Sequence, residues 1–245
     1  FKLIYFDGFA GSGEIEESGN KSVIEGVAKQ IISIDTPRSF DIYYMVEKDP
    51  EKATELQKTL ITLFPHKKKK IFVIPEDCNN KLISLADFMK KNPFHRTLAF
   101  IDPHGMQVEW NSISIFKGIK IDMWLLIPSG IGVNRMLTKN AEISEGWMKK
   151  LMSFLGMSEQ EIKKNFYKEE IDLFGSINMY KDQNSIDKII KIYKDRLNTI
   201  WDYVSVPFSL KNRRGSTMFH FILASQNETA EKIATQIIGG TKKGV

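Results

Sequence analysis

The chain has 245 residues, with a hydrophobic fraction of 42% and an aromatic fraction of 11%, a balance that fits a folded core and excludes a disordered or collagen-like chain. Its 35 basic and 30 acidic residues leave a net charge of +5, an excess that permits nucleic-acid contact without requiring it. No apolar run approaches the about 20 residues of a membrane span, and the lone Cys78 excludes an internal disulfide and a cysteine-rich metal knuckle. These features lead us to expect a single cytoplasmic domain over 1–245, without membrane attachment and without a signal peptide. Phe1 is not an initiator methionine, so an upstream segment is expected.

The first strand, Leu3-Ile4-Tyr5-Phe6, is apolar at every position, as a parallel strand buried on both faces requires. It runs into Asp7-Gly8-Phe9-Ala10-Gly11-Ser12-Gly13, where glycines let the backbone turn tightly and approach a ligand. The glycine order is not the G-x-G-x-x-G of dinucleotide sites, and Glu14 stands where a nucleoside-triphosphate loop needs lysine. A phosphate ligand is therefore not expected. The alternative is an ordinary strand-to-helix connection.

Ser22 to Ile32 has the apolar spacing of a helix, Asp41 to Val46 is a second strand, and Glu51 to Leu63 is a second helix opened by Pro50. Lys67-Lys68-Lys69-Lys70 is read as a solvated loop before a third strand, Ile71 to Ile74. A helix from Lys81 to Lys91, a fourth strand from Thr97 to Ile101 and a fifth from Asp122 to Ile127 follow. Alternation of this kind predicts a doubly wound, Rossmann-like α/β sheet, mostly parallel. From about 133 to 185 the strand rhythm stops, and a helical insertion is expected there. Ile186 to Ile200 is a helix, Tyr203 to Phe208 and Thr217 to Ala224 are strands, and Glu228 to Ile238 is a closing helix. The short basic link Lys211-Asn212-Arg213-Arg214-Gly215 implies that the last two strands are antiparallel, with Pro207 marking an edge.

Four successive strands end in acids: Asp7, Glu47, Asp77 and Asp102. All belong to the carboxyl edge of the sheet, where open α/β proteins bind ligands. Converging carboxylates repel one another unless a cation or hydroxyl donors occupy the space between them. S-adenosylmethionine meets that demand with a sulfonium, an ammonium and two ribose hydroxyls. Glu47 is placed to accept from the ribose and Asp77 from the adenine amine, while Gly11 and Gly13 leave room for the methionine tail. Each such bond to an ionised acceptor is worth about 1.5–3 kcal/mol.

The segments Phe6-Asp7-Gly8-Phe9-Ala10-Gly11-Ser12-Gly13, Glu47-Lys48-Asp49-Pro50, Asp77-Cys78-Asn79, Phe100-Ile101-Asp102-Pro103-His104-Gly105, Pro128 with Gly130-Ile131, and Phe221-Ile222-Leu223-Ala224-Ser225 together resemble the three-Cys-motif partner protein family. More broadly, the pattern is similar to class I S-adenosylmethionine-dependent methyltransferases. The resemblance implies a methyltransferase domain with S-adenosyl-L-methionine as cofactor. It also implies a partner protein that carries the three cysteines, so the lone Cys78 is no contradiction. Asp7, Gly8, Phe9, Ala10, Gly11, Gly13, Glu47, Lys48, Asp77, Cys78 and Asp102 are the implied cofactor-binding positions.

Asp102-Pro103-His104-Gly105 occupies the place from which amino-methyltransferases of nucleic acids present Asp/Asn-Pro-Pro-Tyr. Here His104 replaces the second proline and Gly105 the aromatic residue, which leaves amino methylation of a base open. Asp102, Pro103 and His104 are the candidate catalytic residues, with His104 either a general base or a turn filler. Arg135 is a candidate for an anionic substrate, or for neutralising a strand-end acid. His66, His95, His104 and His220 show no paired ligand spacing, so no metal is expected unless three strand-end carboxylates hold magnesium, as in a nuclease. The leading expectation is a methyltransferase acting on nucleic acid or a nucleotide-like substrate. The competing one is a non-catalytic S-adenosylmethionine- or nucleoside-binding module that regulates or scaffolds a partner enzyme.

Overall fold

The computed structural model describes residues 1–12, 14–15, 24–171, 175 and 177–241. The chain divides into two compact units, Phe1–Asp102 with Ile119–Trp124, and Pro103–Gly118 with Leu125–Val245.

In the first unit β1 (Lys2–Asp7) leads to a short ladder of β2 (Glu14–Ile15) with β3 (Ile24–Glu25), then α1 (Val27–Ser33), β4 (Ile42–Val46) and α2 (Pro50–Leu63). A 3-10 turn at Pro65–Lys70 precedes β5 (Ile71–Ile74), α3 (Cys78–Lys91) and β6 (His95–Ile101). β1 pairs in parallel with β4, Tyr5 opposite Tyr43, and with β6, Tyr5 opposite Leu98. β4 pairs in parallel with β5. The strand order is β5-β4-β1-β6, with β7 (Ile121–Ile127) beside β6.

Because side chains alternate along a strand, Tyr5, Tyr43, Met45 and Ile71 share one face. They form a core with Ala28 and Ile32 of α1 and Leu56 and Leu60 of α2. Ile4, Phe6, Ile42, Tyr44 and Phe72 take the opposite face, against Leu85 and Phe88 of α3. The sheet is thus covered from both sides, as a doubly wound fold requires. Asp49 caps α2 by accepting from the N–H groups of Glu51 and Lys52, at 2.9 and 3.3 Å, and Pro50 opens the helix.

The second unit contains α4 (Trp110–Ser114) and the end of β7, which is common to both units. A π-helical segment, Ser129–Asn134, leads to α5 (Glu145–Leu155), α6 (Glu159–Phe166), the hairpin β8 (Tyr167–Ile171) with β9 (Ile177–Lys181), and α7 (Ser185–Leu197). β10 (Tyr203–Val204), β11 (Phe208–Lys211), β12 (Thr217–Ser225) and α8 (Glu228–Thr241) follow. Here the order is β7-β12-β10, with β11 also on β12, and both β10 and β11 are antiparallel to β12. The strands therefore form a mostly parallel, Rossmann-like mixed α/β sheet with an antiparallel edge. Gly156 ends α5 in the left-handed region, at φ +63, against Trp110, which packs edge-on to Tyr193 and beneath Arg196.

Four expectations change. The first helix begins at Val27 and not at Ser22, because Gly26 caps it in extended backbone and Ile24–Glu25 pairs with Glu14–Ile15. Ser22 and Val23 lie outside the described residues. The lysine run is not a solvated loop: Lys67 is buried, and its Nζ bonds Asp35 Oδ1 at 2.7 Å and the Ile32 carbonyl.

The insertion holds a β-hairpin as well as helices. β8 exposes every residue after Tyr167, so no apolar alternation announces it. Finally, the strand expected over Tyr203 to Phe208 is two strands. Val204 faces Ala224 and Phe208 faces Phe221, so one extra residue bulges out around Pro207, which has no N–H to donate.

Candidate functional site

β1 ends on Asp7, whose carboxyl is only 3% exposed. The Phe9 N–H donates to its Oδ1 at 3.1 Å, and the Tyr5 hydroxyl, two residues back on the same face, donates to Oδ2 at 3.4 Å. Burial pushes the Asp7 pKa up to about 7. The two donors pull it down, and the charges of Asp102 and Glu47 push it up again. Asp7 is thus a carboxyl that a nearby cation would ionise.

The turn that follows is tied to the sheet. Gly8 N–H donates to the Phe100 carbonyl and Ala10 N–H to the Val46 carbonyl, both at 2.9 Å. A Cβ on Gly8 would stand 2.7 Å from Cys78 Sγ and 2.9 Å from Ile101 Cδ1, so glycine is required by packing. Gly11 has φ +62, and a Cβ there would meet nothing within 4 Å. The two glycines therefore differ: the first is filled from behind, the second faces open space. Phe9 and Ala10 are half-buried beside them. Gly13 lies outside the described residues.

Glu47 follows β4, donates its N–H to the Ile74 carbonyl at 3.1 Å, and accepts the Asp49 N–H on Oε1 at 2.9 Å. An open depression of about 750 Å³ is lined by Glu47, Lys48, Asp49, Pro50 and Glu51. Asp77 caps α3: its Oδ1 accepts from the Asn79 N–H at 2.9 Å, and its Oδ2 pairs with Lys48 Nζ at 3.2 Å. Partial burial alone would raise the Asp77 pKa, but Asn79 and Lys48 bring it below the ordinary range. Lys48, whose side chain is 78% exposed, therefore already occupies Asp77 Oδ2. Cys78 is buried behind Gly8, and burial pushes its thiol pKa up, helped by the charges of Asp77 and Asp7. It packs the turn and is not poised as a nucleophile.

Asp102 closes β6 at half-burial in the first unit, within electrostatic reach of Asp7. Glu47 and Asp102 are the acids whose charges act on Asp7, while Asp77 is engaged with its helix and Lys48. Among the described residues, no three His, Cys, Asp or Glu side chains are grouped as a metal ion would need. The next residues belong to the second unit. Pro103 is buried, His104 is exposed, and the Gly105 N–H turns back onto the Pro103 carbonyl at 2.8 Å. Arg135 is exposed at the end of the π-helical segment.

Two features have weak or no local signal in the sequence. Tyr5 is legible in principle, since i and i+2 share a strand face. The buried contact of Ser129 with His220 has no local signal, because 91 positions separate them. A half-open cavity of about 360 Å³ also exists in the first unit, between α3 and the Ile4, Phe6 and Tyr44 face. Only Lys81, Ser84 and the Tyr44 hydroxyl offer polarity in its lining, which does not suit a charged nucleoside. Among the described residues no helix is long and apolar enough to cross a membrane.

No protein-family model matches the chain, and no curated protein matches it. Among solved structures, a conserved hypothetical protein from Streptococcus pyogenes is similar at 16% identity, covering 76% of this chain and 89% of that one, with a TM-score of 0.35. The Escherichia coli protein named "Putative methyltransferase yhhF" is 14% identical, covering 73% and 75%, with a TM-score of 0.34. A "possible exported protein" from Bordetella parapertussis is 8% identical, covering 91% and 61%, also at 0.34.

Proposed function

We propose that this chain is an S-adenosylmethionine-dependent methyltransferase whose cofactor platform is the carboxyl edge of β1, β4 and β5. Asp7 carries the reading: a buried carboxyl whose pKa burial pushes up to about 7, on the turn that leads to the left-handed Gly11, where a Cβ would meet open space. Such a pairing suits a cationic ligand that passes close to the backbone, and it does not suit a pyrophosphate. The residues present fit the group. Glu47 would accept from the ribose hydroxyls, Gly11 would let the methionine tail pass, and Asp7 would gain a counter-charge. When bound, S-adenosylmethionine supplies an electrophilic methyl group.

The protein's own contribution to transfer is positioning. Asp102 accepts a hydrogen bond from the nucleophile and keeps its lone pair aimed, while His104, next but one in the chain, takes the proton. The acceptor in this reading is a nucleic acid or a nucleotide-like substrate. The resemblance to the three-Cys-motif partner family adds a cytoplasmic partner protein carrying the cysteines.

Titration calorimetry with S-adenosylmethionine tests the premise, and absence of binding by the intact protein overturns it. Asp102→Ala and His104→Ala then test the chemistry on RNA and DNA acceptors. An enzyme loses turnover in both variants, and His104→Ala, which lies outside the cofactor-binding set, keeps cofactor affinity. Cofactor binding with no turnover in the parent protein would make the chain a binding module instead.

A further inference from the structure

From Tyr203 to Asn227 the chain has no acidic residue, yet it carries Lys211, Arg213 and Arg214. All three sit at the β11–β12 turn and all are exposed. Elsewhere in the second unit some lysines are paired, Lys149 with Glu145, Lys163 with Glu159 and Lys232 with Glu228, at 2.6, 2.7 and 2.7 Å, whereas others such as Lys150 and Lys164 stand exposed singly and not in a cluster. Among the described residues, the three cations of the turn have no carboxylate partner.

The turn that presents them is well defined. The Asn212 N–H donates to the Ser216 carbonyl at 3.0 Å, and the Gly215 N–H to the Asn212 carbonyl at 2.9 Å. Asn212 Oδ1 accepts from the N–H groups of Arg214 and Ser216, both at 3.0 Å. Gly215 supplies the left-handed φ of +77 that closes the turn. Backbone order of this kind lowers the entropy lost when the turn meets a partner.

We propose that the β11–β12 turn grips the sugar-phosphate backbone of a nucleic acid. Guanidinium groups at Arg213 and Arg214 offer planar forks that match phosphate oxygens, and Lys211 adds a point charge. Apart from Leu210, 38% exposed where the strand enters it, the turn Lys211-Asn212-Arg213-Arg214-Gly215-Ser216-Thr217 has no aromatic or aliphatic side chain, whereas a protein interface is centred on such anchors. That favours a polyanionic strand over an acidic protein. Base identity is not read by such contacts, so the turn sets position and not sequence preference. The inference deepens the proposed nucleic-acid acceptor, and it rests on that reading for what the bound strand is for. Strand binding itself does not depend on the cofactor.

Fluorescence anisotropy of a short mixed-sequence RNA, measured without S-adenosylmethionine across a range of potassium chloride, tests it on the whole chain. The parent protein should bind with an affinity that falls steeply with salt. The double variant Arg213→Gln, Arg214→Gln should bind more weakly on every sequence, and its log–log salt slope should shrink by about 0.7 for each phosphate it no longer neutralises. Lys149→Gln, in the same unit, should leave the slope unchanged. An unaltered slope in the double variant, or no RNA binding by the parent, overturns the proposal. Equal retention of polyglutamate with the same arginine dependence also overturns it, in favour of an acidic protein. The single variants Arg213→Gln and Arg214→Gln decide the matter if the double variant melts early. Cofactor calorimetry on the same preparations separates failure here from failure of the methyltransferase reading.

Discussion

Ser129 Oγ lies 2.7 Å from His220 Nδ1, and the two side chains are 0% and 6% exposed. The bond joins the π-helical segment after β7 to the middle of β12. Burial lowers the His220 pKa, against a small opposing pull from Asp187. With its partner absent, the ring nitrogen would be buried and unsatisfied.

Ser129→Ala should therefore destabilise the protein by about 1–3 kcal/mol in urea denaturation at pH 8, and adding His220→Phe should recover part of that loss. The pH dependence has a definite sign. An unfolded histidine binds a proton below its ordinary pKa of 6.5, whereas buried His220 resists it. Its contribution is present above pH 6.5 and is lost as the pH falls below that value. The stability difference between the parent and His220→Phe should therefore shrink from pH 8 to pH 5, and a difference that stays flat over that range would contradict the assignment.

Asp7 predicts the opposite slope. The folded state holds a proton up to about pH 7, while the unfolded carboxyl releases it near 3.8. Folding therefore loses stability as the pH rises from about 4 to 7. Relative to the parent, Asp7→Asn should gain stability across that window, on the order of 4 kcal/mol by pH 8. A parent-minus-variant difference that stays flat between pH 4.5 and 8 would contradict the assignment.

Cofactor binding should be coupled to the same proton. A sulfonium or ammonium near Asp7 lowers its pKa, so binding at pH 6 releases a proton and affinity rises as the pH approaches 8. Calorimetry in two buffers of different ionisation heat measures the release directly. In Asp7→Asn the heat should become independent of the buffer.

Gly8 and Gly11 should respond differently to alanine. At Gly8 a Cβ meets Cys78 Sγ at 2.7 Å, and overpacking of this kind costs about 1–3 kcal/mol. Cys78→Ala in the same chain should relieve much of it. Gly11→Ala meets no atom within 4 Å and carries only the strain of φ +62, about 1–2 kcal/mol. Its main effect should fall on S-adenosylmethionine affinity, so calorimetry and thermal melting should rank the two variants in opposite orders.

Much of this arrangement is readable from local chemistry. Strand ends are legible because Asp7, Glu47 and Asp102 each follow an apolar run, and Asp49-Pro50 declares a helix start through capping and a fixed φ. The paired burial faces of β1 and β4 are implied by period-2 alternation. What stays hidden depends on distance along the chain or on exposure. Lys67 looks like its neighbours until Asp35 and the Ile32 carbonyl are placed around it. β8 has an exposed strand face and so no apolar rhythm. Asp77 reads in sequence as open to a ligand, and only the fold shows Lys48 already on it.

The lysine run has one more consequence. Lys68 and Lys69 stand in solvent, whereas the Lys67 amine is sealed against the C-terminal turn of α1. An amine-directed reagent should modify the outer lysines at once and reach Lys67 only when that turn lifts away. Four identical letters thus contain a built-in clock: the lag between their labelling rates times the local opening of α1, with no probe added to the protein.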